Sequence, residues 1–117
     1  MLPFTEVMMK PTHPLEVVRC LAENEGACEF FKPVLQMLRE NEMDSDDLRE
    51  IIMTELGEHH CFDTQPTRKY YPSTVSDYFS IWVDDCDAQM FLKYLIYNNR
   101  LVVTSFKKDV RYARALP

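Results

Sequence analysis

Glycine is scarce in this chain, since only Gly26 and Gly57 occur among its 117 residues. Phosphate-binding loops need several glycines at fixed spacing, so neither a dinucleotide fingerprint nor a P-loop is present. No apolar run approaches the roughly 20 residues that a transmembrane helix requires. Residues 1–4 lack the charged and then apolar layout of a signal peptide. We therefore expect a cytoplasmic protein that has no membrane partner.

Cysteine usage gives no sign of a disulfide framework or a metal centre. The four cysteines are Cys20, Cys28, Cys61 and Cys86. They form neither a Cys-x-x-Cys pair nor a zinc-ribbon spacing, and we expect most of them to be small core residues. Four potential metal ligands lie within five residues: His59, His60, Cys61 and Asp63. Such close neighbours cannot easily converge on one tetrahedral ion, so no metal and no cofactor is predicted.

The net charge of −6 hides an uneven distribution. Residues 1–60 carry 13 acidic and five basic side chains, a net of −8, whereas residues 61–117 carry six and eight, a net of +2. From Met90 onward there are six cations and one acidic residue, Asp109, a net of +5. Local potential steers ligands more than total charge does. We expect an acidic helical half and a basic sheet that offers a surface to an anionic ligand.

Helical periodicity dominates residues 12–57. Apolar residues at spacings of three and four predict a first helix with Thr12 as its N-cap and an end at residues 24–26. Pro33 suits the first turn of a second helix. The preceding residues 27–31 are ambiguous between the start of that helix and a short extended piece.

A third helix is predicted to begin at Asp44 or Ser45 and to end with Gly57 at its C-terminal cap. Acidic side chains in its first turn interact favourably with the positive end of the helix dipole. This ordinary role explains the acidic run at residues 40–50. A partner-binding face, or one that mimics the phosphate backbone of a nucleic acid, is the alternative.

Past the third helix the periodicity becomes strand-like. Residues 58–63 are predicted as a first strand and residues 64–76 as a long exposed loop. Three consecutive antiparallel strands follow within residues 77–108, where runs of β-branched and aromatic residues are bounded by turn residues. Asn98-Asn99 tolerates the positive φ that a tight hairpin requires.

These elements predict an α+β fold in which three N-terminal helices pack on a small antiparallel sheet. The length of 117 residues is that of one domain. We divide it into a helical part at 12–57, a sheet part at 58–108 and a basic tail at 109–117.

Three short motifs on the predicted strands are similar to those of a known family. They are Ile81-Trp82 followed by Asp84, Leu92-Lys93 after an aromatic residue, and Ser105-Phe106-Lys107. The upstream helical segment, with Asp46-Asp47-Leu48 before Ile51-Ile52, also fits. Over residues 12–108 the chain resembles the MqsR family of bacterial toxins, the motility quorum-sensing regulators, which share the RelE-like fold.

The resemblance implies a ribosome-independent endoribonuclease that cuts single-stranded messenger RNA and is neutralised by a cognate antitoxin protein. Lys93 and Lys107 match the family pattern. The chain departs from it at Val83, where the family has Gln, and at Phe91, where it has Tyr. The family's lysine ahead of the Ile-Trp pair has no clean counterpart, and Arg68-Lys69 offers the nearest cations.

RNA cleavage by the ribose 2′-hydroxyl needs a general base, a general acid and cations that stabilise the phosphorane, without a metal ion. Histidine suits acid–base work because it titrates near neutrality. Aromatic side chains stack on unpaired bases. The predicted catalytic residues are Lys93, Lys107, His60, His59 and Lys69. The predicted RNA-binding residues are Arg68, Tyr71, Lys108, Arg100 and Arg111.

Two alternatives compete with the endoribonuclease. The apolar side chains of Val83 and Phe91 at polar positions of the family favour a non-catalytic relative that binds protein. The acidic helical half favours an acidic inhibitor module.

Overall fold

The computed structural model describes residues 9–111, and within them the predicted α+β class is confirmed. Residues 112–117, most of the predicted basic tail, lie outside the described residues. The helices and strands follow the chain as α1 (Leu15–Glu23), β1 (Cys28–Phe30), α2 (Lys32–Glu40), α3 (Ser45–Thr54), β2 (Cys61–Pro66), β3 (Val75–Val83), β4 (Ala88–Tyr97) and β5 (Arg100–Lys108).

The sheet is mixed, which corrects the prediction of an antiparallel sheet preceded by all of the helices. Its strand order is β1-β5-β4-β3-β2, and every neighbouring pair is antiparallel except β1 and β5. β1 lies between α1 and α2 and pairs in parallel with residues 101–103 of β5. Of the two conformations that the sequence leaves open for residues 27–31, the structure has the extended one. Three residues are too few to show an alternating pattern, and the partner strand is remote in sequence, so the sequence alone could not choose.

The helix boundaries agree with the sequence at α3 and differ from it at α1. Asp44 is the N-cap of α3, and its side chain accepts the Asp47 backbone N–H at 3.0 Å while Asp47 accepts the Asp44 N–H at 2.9 Å. This reciprocal capping box accounts for part of the acidic run. At α1 the N-cap is Pro14, and Thr12 instead donates its backbone N–H to the Asp77 carboxylate at 2.9 Å.

The segment between α3 and β2 also differs from the prediction. α3 ends at Thr54 with Glu55 as its C-cap, and the next residue, Leu56, is buried. Gly57 has an extended φ of −124° and makes no left-handed cap. Residues 58–60 form a 3₁₀ turn, so the strand predicted at 58–63 begins only at Cys61.

Strand pairing shortens the predicted loop at 64–76. β2 continues to Pro66, which pairs with Val75 at the start of β3. The remaining loop spans residues 67–74, and the Thr67 N–H closes it by donating to the Thr74 carbonyl at 3.0 Å. The hairpin between β4 and β5 is as predicted, with positive φ values of 52° and 56° at Asn98-Asn99.

All three helices contribute to a core on one face of the sheet. Arg49 of α3 holds the end of α1 by donating to the carbonyls of Ala22 and Glu23, both at 2.8 Å. No helix in residues 9–111 is long and apolar enough to cross a bilayer. Fully buried members of this core include Val18, Val34, Leu38, Leu48, Ile52, Phe79, Leu92, Tyr94 and Val103.

Candidate nucleic-acid interface

The two faces of the sheet carry different side chains because successive residues of a strand point in opposite directions. On β3, Phe79 and Ile81 are buried in the core, whereas Tyr78 and Trp82 point to the other side. We call this second side the open face. By strand register its members include Ser76, Tyr78, Ser80, Trp82, Gln89, Phe91, Lys93, Ser105 and Lys107.

Two of the predicted catalytic lysines lie on the open face. Lys93 pairs with Ser105, and Lys107 pairs with Phe91 one step along the same face. The Lys93 Nζ lies 5.5 Å from the Tyr78 ring centroid, and the Lys107 Nζ lies 5.4 Å from that of Phe91. Burial lowers the pKa of Lys93, and the charge of Lys107 lowers it further. The ammonium of Lys93 is therefore easier to deprotonate than that of a free lysine.

The loop at 67–74 meets the open face in a cleft of about 520 Å³. Arg68 and Lys69 from the loop and Lys93 from β4 all line it. The sequence predicted a role for each of these three cations, and the fold brings them to one place. Phe31, Tyr70 and Tyr78 supply the aromatic part of the lining. We refer to this space as the cleft.

Tyr71 anchors the 67–74 loop to β1. Its hydroxyl donates to the Glu29 carboxylate, and this hydrogen bond is the largest cause that raises the Tyr71 pKa. Its ring lies 5.0 Å from the Tyr97 ring between centroids. By strand register, Leu95 and Val102 lie on the same side of the sheet as the open face, and both are buried. The predicted RNA-binding Tyr71 is thus an anchor, and its neighbour Tyr70 carries the exposed ring.

The two predicted histidines do not line the cleft. His59 and His60 lie in the 3₁₀ turn before β2, with their ring centroids 3.9 Å apart. The His60 Nδ1 accepts the Gly57 backbone N–H at 2.9 Å. Burial lowers the pKa of His60, and His59 lowers it further. This geometry gives the His60 ring a structural role in closing the turn.

The other predicted RNA-binding cations are dispersed. Lys108 pairs with the buried Met90, so it belongs to the helix-side face, opposite to Lys107. Arg100 lies at the far end of β5 and donates to the Gly26 carbonyl at 3.0 Å.

Arg111 is engaged with a carboxylate and an aromatic ring. Its guanidinium lies 3.5 Å from the Phe62 ring centroid and donates to both Asp109 carboxylate oxygens, at 3.0 and 2.7 Å. Phe62 in turn contacts the rings of Tyr78 and Phe91. Arg111 therefore borders the open face with its donors directed to Asp109.

Sequence reasoning missed a buried polar network at this end of the open face. Asp109 is 5% exposed and accepts the Ser80 hydroxyl at 2.6 Å. Gln89 donates to the Ser80 Oγ at 3.1 Å. Burial raises the pKa of Asp109, but the hydrogen bonds from Arg111 and Ser80 outweigh it, and the net pKa is lowered. The polar residues at every second position of β3 were the available signal.

Within residues 9–111 no group of three or more His, Cys, Asp or Glu side chains is placed to hold a metal ion. The titratable side chains that line the cleft are those of Arg68, Lys69, Tyr70, Tyr78 and Lys93. No protein-family model matches the chain, and no curated protein matches it in sequence.

Proposed function

We propose that the protein is a toxin-like endoribonuclease that binds single-stranded RNA on the open face and cleaves it beside Lys93. One observation supports this most directly: Lys93 shares the open face with Lys107 and the cleft with Arg68 and Lys69. Clustered cations beside exposed rings suit a flexible polyanion with unpaired bases. The motif resemblance adds a RelE-like arrangement, a cytoplasmic location and a neutralising antitoxin to the proposal.

In the proposed reaction, neutral Lys93 removes the proton of a ribose 2′-hydroxyl. The 2′-oxygen attacks the adjacent phosphorus, and the bond from phosphorus to the 5′-oxygen breaks. The products are a 2′,3′-cyclic phosphate and a 5′-hydroxyl, whose proton comes from a neighbouring ammonium. Lys107 and Lys69 are the candidates for that donor and for stabilising the phosphorane charge. Phe91 has no hydroxyl that could take part.

The first test combines induced expression with inspection of total RNA. We expect growth arrest and RNA fragments from the native chain, and neither from a Lys93→Ala, Lys107→Ala double variant. Loss of a general acid or base typically slows catalysis by about 10²–10⁴-fold. Lys108→Ala is the matched control, because it removes one charge from the same strand on the opposite face. Intact RNA and normal growth with folded native protein would contradict the proposal.

A pH profile tests the role given to Lys93. The base must be neutral, so the cleavage rate should rise with pH toward a Lys93 pKa that lies below its ordinary 10.5. Lys107→Met removes a charge that disfavours the Lys93 ammonium, so the rising limb should move to higher pH. In Lys108→Met the limb should stay where it is. A limb that does not move in Lys107→Met would assign the titration to another group.

A non-catalytic RNA-binding protein is the second candidate. It is favoured by the absence of histidine from the cleft lining and by the apolar Phe91 and Val83. Phosphate contacts release counterions, so binding in this case should weaken with salt while the RNA stays intact.

A further inference from the structure

The cleft has more room and more varied chemistry than a phosphate group needs. Its volume of about 520 Å³ lies within the range of small-molecule sites, roughly 300–1,000 Å³. Cations line part of it, and aromatic rings and neutral polar groups line the rest. A nucleotide combines the same three properties in its phosphate, its base and the edge of that base.

Tyr70 is held in a conformation that its side chain disfavours. Its φ is +53°, and that of Tyr71 is +36°. A left-handed backbone is strained for a bulky residue, and such strain is concentrated at functional sites. Tyr70 is also 70% exposed, the highest value among the exposed large hydrophobic residues of residues 9–111. Phe31 contacts this ring edge-on, with centroids 5.7 Å apart and planes at 90°.

The other tyrosine rings near the cleft make more contacts with neighbouring side chains than Tyr70 does. Tyr78 contacts both Phe62 and Phe91 and lies beneath the Lys93 ammonium. Tyr71 packs on Tyr97 and is tied to Glu29. Tyr70 is therefore the ring of the loop that is available for stacking.

Neutral polar groups form another part of the wall. Thr67 and Ser76 both line the cleft, and the Thr67 Oγ1 lies 2.8 Å from the Ser76 Oγ. The Gln65 amide N–H₂ is held by the Asp63 carboxylate at 3.2 Å, which fixes the side chain at the cleft. Hydroxyl and amide groups fixed in this way can form hydrogen bonds with the edge of a base.

We propose that the cleft binds one unpaired nucleobase, stacked on Tyr70, with the adjoining phosphate at Lys93. The inference rests on the proposed function for the view that the base belongs to single-stranded RNA. A free nucleoside monophosphate carries the same chemistry. The RNA is then recognised through one base drawn out of the strand, and the other bases pass over the open face.

Calorimetric titration of the full chain tests this with four ligands: UMP, AMP, ribose 5-phosphate and a nine-nucleotide single-stranded RNA. Both nucleotides should bind more tightly than ribose 5-phosphate, which has the phosphate and no base. Tyr70→Gly should weaken nucleotide and RNA binding by about fivefold to a hundredfold, the range measured for loss of one stacked base. Tyr70→Phe should retain the binding.

Two features of the design distinguish the loss of a stacking ring from misfolding of the Tyr70→Gly variant. Glycine accepts a positive φ without strain, so Tyr70→Gly should unfold no more readily than the native chain. Trp82→Ala is the matched control, because Trp82 is a 50% exposed ring on the open face outside the cleft lining. That variant should bind UMP and AMP as the native chain does.

The outcomes separate the two proposals. RNA binding that depends on Lys93 and Lys107, with no effect of Tyr70→Gly, would overturn the base site and leave the proposed function standing. Nucleotide binding that depends on Tyr70, with RNA neither bound nor cut, would overturn the proposed function and keep the cleft as a site for free nucleotides. Equal affinity for UMP and ribose 5-phosphate, or nucleotide binding lost in Trp82→Ala, would overturn the base site.

Discussion

The two faces of this sheet are built from the same strands and carry different side chains. On the helix side, Phe79, Leu92 and Val103 are fully buried and pack with the helices. On the open face, the neighbouring residues Tyr78 and Lys93 remain only partly covered. The difference shows that at these positions packing in the core does not constrain the neighbouring residue on the open face. We therefore expect that core packing and the chemistry of the open face can be changed separately, one residue apart.

The largest expected effect on stability is that of a substitution in the core, on the helix side of the sheet. Leu92→Ala should reduce the free energy of unfolding by about 2–5 kcal/mol, through lost burial and the cavity left behind. Lys93→Met, one residue away, should change it by no more than about 0.5 kcal/mol or raise it, since burial and Lys107 disfavour the ammonium. Urea unfolding of both variants checks the contrast. Similar losses at both positions would contradict the separation of the faces.

An intermediate effect on stability is expected at Asp109, which is buried at one end of the open face. Asp109→Asn should reduce the free energy of unfolding by about 1.5–3 kcal/mol, because hydrogen bonds to a charged group are lost at Ser80 and Arg111. The folded pKa of Asp109 lies below its ordinary 3.8, so its stabilisation is complete above that pH and is lost as pH falls through the folded pKa. Acid unfolding should therefore be less pH-dependent in the variant.

Asp85→Asn is the control for Asp109→Asn, since Asp85 is an exposed carboxylate. It should leave the midpoint of urea unfolding and the acid limb nearly unchanged. Equal behaviour of the two variants would show that the Asp109 network does not stabilise the fold.

The smallest effect, with the opposite sign, is expected at Tyr94 on the helix side. Its hydroxyl is buried and has no hydrogen-bond partner within residues 9–111. Burial raises the Tyr94 pKa, and the Asp77 charge adds to this. Tyr94→Phe removes an unsatisfied polar group, so thermal unfolding should report a gain of about 1 kcal/mol. Tyr78→Phe on the open face should be neutral, and a clear loss in Tyr94→Phe would mean that the hydroxyl has a partner.

Local signals predicted the parts of the fold that depend on neighbours in sequence. The start of α3 at Asp44 or Ser45, the acidic residues of its first turn and the hairpin at Asn98-Asn99 follow from side-chain and φ preferences within a few residues. At β1 the local signal left a helical start and an extended piece both open, because three residues carry no periodic signal and their pairing depends on β5.

The candidate site was predictable as a set of cations but not as an arrangement. Lys93 and Lys107 could be assigned from strand alternation and motif resemblance, and the structure places them on one face. The choice between Tyr70 and Tyr71 could not be made, since it depends on the contact of Tyr71 with Glu29, 42 residues away. Charge alone favours an RNA-binding role for Lys108, but strand geometry places it on the face opposite to Lys107.

The sequence by itself determined the α+β class, the main helices and strands and the basic character of the second half. These properties arise from periodicity, capping and composition, which act over short distances along the chain. Only the tertiary structure decided that Arg68, Lys69 and Lys93 meet at one cleft while His59 and His60 do not line it. The physical reason is that strand register and the anchoring of the 67–74 loop are set by contacts between residues far apart in sequence.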